Sequence, residues 1–176
     1  MLNQEELDLF LDVSNPLDFI EDIMIGRDWT FERMDEDCLT VQVTGKFGTY
    51  DMTFNWQDDL KALKFSAMMD LTIHVTKMDD AFRAMSAINS NLWLGHFDIQ
   101  TDRGACIPTF RYTSLLRGMT EGSGASHLED MIQIGLAECE RYYMTFDLLS
   151  RFTANNDAIM CESKMALAMM DVAGIS

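Results

Sequence analysis

His96 and Cys106 are the nearest approach to a nucleophile–base pair in this sequence, because an imidazole beside a thiol on neighbouring strands can generate a thiolate. Residue alternation argues against the pair. It puts His96 on the polar side of its strand and Cys106 with Phe110 and Tyr112 on the apolar side, which makes a chance approach the simpler reading. His74 and His127 fall on other elements, and no histidine has a partner at HxH or HxxxH spacing, so no metal site is expected. Asp79-Asp80 opens a helix, where carboxylates suit the positive end of the dipole, and lacks the alternating acids of a calcium loop. Gly122-Ser123-Gly124 is not a GxSxG elbow, and neither GxGxxG nor GxxxxGK[ST] occurs, so nucleotide cofactors have no cradle. Glu138 and Glu140 stand two apart on a helix and do not face each other; they read as solvated acids flanking a buried Cys139. With no constellation for catalysis and none for a metal or cofactor, a non-enzymatic protein is expected.

The elements that carry these residues follow from periodicity. Residues 1–14 form an acidic lead-in, and residues 15–176 suit one domain. Asn15 caps a first helix, with Pro16 in its first turn, Asp18 at the capping-box position, and Leu17, Ile20, Ile23 and Met24 on one face up to Gly26. From Thr30 the period falls to two. A short strand near Phe31 and Arg33 is followed by Leu39-Val41-Val43, Tyr50-Met52-Phe54-Trp56 and a long run from Leu63 through Phe65, Ala67, Met69 and Leu71 to Ile73. Such one-sided alternation with short connections predicts an antiparallel meander.

Thr76 and Asp79 look like a capping box for a helix to about Leu92, with Met78, Ala81, Phe82, Met85, Ile88 and Leu92 as its stripe. A hairpin follows, with Phe97 and Ile99 inward, Asp102-Arg103-Gly104 as its loop, and a strand from Cys106 to Thr113. Pro108 lacks a ladder donor, so that strand is expected at an edge or with a bulge. Ser126 and Glu129 resemble a third capping box after a loop at Gly118–Gly124. The helix it opens is the longest, and a last helix after Asn155-Asn156 carries Met160, Met165, Met169 and Met170. The fold class is therefore α+β: an antiparallel meander sheet with helices on one face, in the order α-β-β-β-β-α-β-β-α-α.

Composition narrows the partners. The net charge is −16, and residues 1–37 hold twelve acids against two bases, Arg27 and Arg33. Such a chain repels phosphate backbones and anionic lipid surfaces, which disfavours nucleic acid and membrane. The acidity serves solubility first, and it also suits a basic partner segment. No run of about 18 apolar residues is present, and acids without a base at the start do not make a signal sequence, so a cytoplasmic location is expected. Cys38, Cys106, Cys139 and Cys161 include no CxxC pair and read as small core hydrophobes. The fifteen methionines fall mostly at core positions, although methionine also suits adaptable binding surfaces.

Large apolar groups crowd the passage from helix to strand at Leu92-Trp93-Leu94-Gly95-His96-Phe97. They either seal the core or anchor an interface, which makes Trp93, Leu94, Phe97 and Phe110 the candidate partner or dimer surface. The same stretch, preceded by Ile88-Asn89 and followed by Asp98, Phe110-Arg111 and Leu115-Leu116-Arg117-Gly118, resembles the YbjN family of bacterial proteins. So do Asn15-Pro16-Leu17, the strand with Phe54-x-Trp56, and Glu138-Cys139-Glu140-Arg141-Tyr142-Tyr143. The likeness covers most of residues 15–173 and departs from the family at Met144, where a proline is expected. It implies an α+β fold similar to type III secretion chaperones, which are small, acidic, usually dimeric proteins that hold extended partner segments. It also implies a role in sensory transduction, stress or motility control without enzyme activity or catalytic residues.

The expectation is a protein-binding regulator or chaperone-like adaptor that forms a homodimer. The alternatives are a small-ligand sensor or uncharacterised enzyme with a helix–sheet pocket, and a type III secretion chaperone proper.

Overall fold

The computed structural model describes residues 15–102, 104–117, 119 and 121–151. The acidic lead-in, Cys161 and the methionine-rich last helix lie outside the described residues.

Asn15 caps the first helix, α1 (Pro16–Gly26), by accepting the Leu17 N–H at 3.0 Å, and Pro16 occupies the first turn, where its missing N–H costs nothing. Leu17, Ile20 and Met24 are buried beneath it. Four strands then run as the expected meander: β1 (Phe31–Asp35), β2 (Cys38–Thr44), β3 (Thr49–Gln57) and β4 (Ala62–Met69). Leu39, Val41, Val43, Tyr50, Met52, Phe54, Trp56, Leu63, Phe65, Ala67 and Met69 all point to one buried face, as their alternation requires. Arg33 ties β1 to α1 by reaching Glu21 at 2.6 Å and Asp18 at 3.3 Å, so part of the N-terminal acidity is matched within the chain.

Beyond β4 come a 3₁₀ turn (Val75–Lys77), helix α2 (Met78–Asn89), strands β5 (His96–Asp102) and β6 (Ala105–Leu115), and helix α3 (Glu121–Arg151). The sheet order is β1-β2-β3-β4-β6-β5, so β5 is the edge and β6 is internal. The prediction from Pro108 therefore fails, and the backbone geometry explains why. Cys106 accepts from the Ile73 N–H on the β4 side, and Pro108, two residues on, turns its nitrogen the same way. Pairing with β4 stops at Thr109, so Pro108 faces past the end of that ladder and no hydrogen bond is lost. The run predicted to continue to Ile73 ends at Met69, and only the isolated Ile73–Cys106 bridge continues it.

Two capping expectations are corrected. His74, not Thr76, caps the 3₁₀ turn, and Lys77 at the start of α2 makes no side-chain cap. Helix α3 begins at Glu121, ahead of Ser126, and Met119 before it packs against the core. Helix α2 ends at Asn89 and buries Ala81, Ala84, Met85 and Ile88, leaving Phe82 53% exposed. The small alanines set the contact face instead of the aromatic ring.

Helix α3 extends about 46 Å at 1.5 Å per residue and crosses β4 and β6. It comes so close at Gly135 that a Cβ there would overlap the Phe65 ring. Leu128, Met131, Ile132, Cys139, Tyr142, Phe146 and Leu149 complete the core between helices and sheet.

Candidate functional site

The passage from α2 to β5 is fixed at both ends by one side chain. Asn89 Oδ1 accepts the Phe97 N–H at 2.8 Å, and Asn89 Nδ2 donates to the Phe97 carbonyl at 3.0 Å. On the helix side, Ser90 Oγ and Asn91 Nδ2 both donate to the Ala87 carbonyl, at 2.8 and 2.9 Å, and stop the helix without loose carbonyls. Leu92 tucks against the core. Gly95 adopts φ +70°, and a Cβ there would overlap the Phe110 ring and lie 2.7 Å from the Arg111 carbonyl oxygen.

Held this way, the loop sorts the four candidate residues into two groups. Phe97 (2% exposed) and Phe110 are core residues, 5.4 Å apart edge to face, and Phe97 also meets Tyr142 and Phe146 at 5.8 and 5.2 Å. Being buried, they are supports for a surface and not part of it. Trp93 is 99% exposed and Leu94 43%, so these two present the apolar groups to solvent. On the outer face of the sheet beside them, Arg111 lies 3.3 Å from Asp98 and donates to Gln100 at 3.3 Å.

No dyad forms from His96 and Cys106. His96 is exposed opposite Arg111, whereas Cys106 is buried opposite Thr101, further along the pair of strands. His74 bonds Thr76 and His127 bonds Ser114, in separate places. Among the described residues no three histidine, cysteine or acidic side chains gather around one point, and no helix is long and apolar enough to cross a membrane.

The Glu138–Tyr143 stretch departs from its reading as surface acids. Cys139 is buried as expected, and burial pushes its thiol up. Glu140 turns into the β2–β3 connection, where its Oε1 accepts the Lys46 N–H at 2.7 Å and the Tyr50 hydroxyl at 3.1 Å. Tyr143 donates to Asp70 at 2.9 Å, and the other oxygen of Asp70 accepts the Thr49 N–H at 2.9 Å. Burial first, and then that bond to a carboxylate, push the Tyr143 hydroxyl up to about 12. Gly45 and Gly48 leave room for this clasp, since a Cβ at either would overlap Glu140 or Tyr143. Glu138 is half-buried, and burial holds its carboxyl above the usual range against the opposing pull of Arg141, which at 3.9 Å is too far to hydrogen-bond it. The clasp is therefore structural. The signal that marks it is the pair of glycines in a turn too short to need both.

Two shallow depressions lie on the surface of the described residues. One, of about 450 Å³, lies at the sheet between Thr40, Gln42, Asp51 and Met68. The other, of about 410 Å³, lies between α1 and α3 at Ile23, Arg27 and Glu129, where Arg27 pairs with Glu129 at 3.0 Å. Neither gathers the convergent polar groups of a small-molecule site.

Residues 16–148 match the profile of the YbjN family, described as "Putative bacterial sensory transduction regulator". A solved structure, "Crystal structure of YbjN, a putative transcription regulator from E. coli", is similar with a TM-score of 0.50 at 16% identity, covering 72% of this chain and 93% of that one. At that identity the likeness speaks for the fold alone. No curated protein matches.

Proposed function

The chain belongs to the YbjN family, and from that premise we propose that it is a non-enzymatic regulator that acts by binding another protein through Trp93 and Leu94. The observation that carries this reading is a tryptophan 99% exposed on a loop pinned by Asn89 and Gly95. Burying a large apolar side chain is worth about 1.5–3 kcal/mol, and a loop already ordered loses little entropy when a partner covers it. Tryptophan is also the residue type most enriched at energetic centres of interfaces.

The net charge of −16 directs the partner's chemistry. Direct contact with a DNA backbone is disfavoured, so a regulator of this charge acts on proteins, with basic surfaces preferred. A homodimer and a cytoplasmic location belong to the same reading.

The test is affinity capture from the native host with the wild-type chain and with Trp93→Ala/Leu94→Ala, both checked for unchanged circular dichroism. The expected result is a reproducible protein, identified by mass spectrometry, that the double variant fails to retain. Retention of the same proteins by both would refute the site. A reproducible thermal shift with one class of metabolite, and no retained protein, would replace the reading with that of a ligand sensor.

A further inference from the structure

Among the described residues strand β5 is an edge of the sheet, and an edge strand offers its outward backbone groups to any other strand. Phe97 turns its N–H and carbonyl away from β6, as its bonds to Asn89 show. Ile99 and Thr101, two and four residues on, face outward likewise.

Pairing with a second copy about a twofold axis at Ile99 would set Phe97 against Thr101, Asp98 against Gln100 and His96 against Asp102. No like charges would oppose each other, so β5 has a self-complementary register. In that register Phe97 would exchange both of its backbone groups with Thr101 of the second copy, and Ile99 would exchange with itself.

Both of Phe97's groups are already taken. The Asn89 amide, reaching over from the last residue of α2, presents one acceptor and one donor in the places that a neighbouring strand would use. The Ile99 N–H is likewise turned to its neighbour Asp98 Oδ1 at 2.8 Å. What remains of the edge is too little to hold a strand.

We propose that the Asn89 side chain guards the β5 edge: by standing in for a neighbouring strand at Phe97 it prevents β5 of one molecule from pairing with β5 of another. This goes beyond the reading of Trp93 as a partner contact, and its test uses no other protein. The mass of Asn89→Ala is measured by size exclusion with light scattering over a range of concentrations, beside the wild type.

The expected result is a mass that rises above the wild type's with concentration, to at least twice its value, and is restored to the wild-type value by adding Thr101→Pro. That proline removes an outward donor and leaves the ladder to β6 intact. A folded Asn89→Ala that keeps the wild-type mass throughout overturns the proposal, as does association that Thr101→Pro leaves unchanged. Should Asn89→Ala fail to fold, Asn89→Leu, which offers Phe97 neither a donor nor an acceptor, is read by the same criteria.

Discussion

Replacing Gly95 with alanine tests the idea that the Trp93 loop is held by a close approach of backbone to core. Two costs combine at this position. A non-glycine residue at φ +70° costs about 1–2 kcal/mol, and a Cβ that overlaps the Phe110 ring and crowds the Arg111 carbonyl adds about 1–3 kcal/mol of overpacking. Gly95→Ala should therefore lose about 2–5 kcal/mol, a large share of the 5–15 kcal/mol typical of a folded domain. At about 2–4 °C per kcal/mol for a chain of this size, Tm falls by about 4–20 °C.

Two other glycines separate the costs. Gly104 in the β5–β6 hairpin has φ +86° with nothing near its Cβ position, so Gly104→Ala carries only the conformational cost, about 1–2 kcal/mol. Gly26 ends α1 in open space without positive φ, so Gly26→Ala changes stability by less than about 1 kcal/mol, in the favourable direction. The assay is thermal unfolding by circular dichroism at one pH and concentration, with urea midpoints as a check. If Gly95→Ala melts no lower than Gly104→Ala, the backbone does not press on Phe110 as described, and the case for a rigid loop falls with it.

Glu140→Ala strips the acceptor from the Lys46 N–H and the Tyr50 hydroxyl, and should cost about 1.5–3 kcal/mol, the worth of hydrogen bonds to a charged group; a urea midpoint equal to wild type would dismiss the clasp. Glu138 is raised by burial, so its contribution to stability is fully present below the unfolded carboxylate pKa and is lost as pH rises through the folded value. Glu138→Gln should therefore unfold at a higher temperature than wild type at pH 7, with the difference shrinking as the pH falls towards 4. A difference that widens on acidification would reverse the assignment.

Most of the framework was legible along the chain. Tyr50, Met52, Phe54 and Trp56 alternate with polar residues and do line the core, because a strand with one wet face admits a single phase. Asn15-Pro16 announces α1 through local chemistry alone. The place of β6 was not legible, since a hairpin can join a sheet by either strand. The choice of β6 depends on where β4 ends, and so on whether the nitrogen of Pro108 meets a partner. Phe82 fitted the helical stripe and still faces solvent, because a three- or four-residue period allows neighbouring faces and the packing of α2 on β5 and α3 selected the alanine side.

The candidate site divides in the same way. The sequence by itself singled out the apolar passage at Trp93, Leu94 and Phe97 together with Phe110, and it determined that the chain is acidic and of α+β class. Only the tertiary structure decided which of the four residues meet solvent, and it turned Glu140 from a surface acid into the clasp of a turn 94 residues away. The physical reason is the same for both. Exposure and hydrogen bonding are set by what arrives from distant parts of the chain, and periodicity reports only which side of an element a residue occupies.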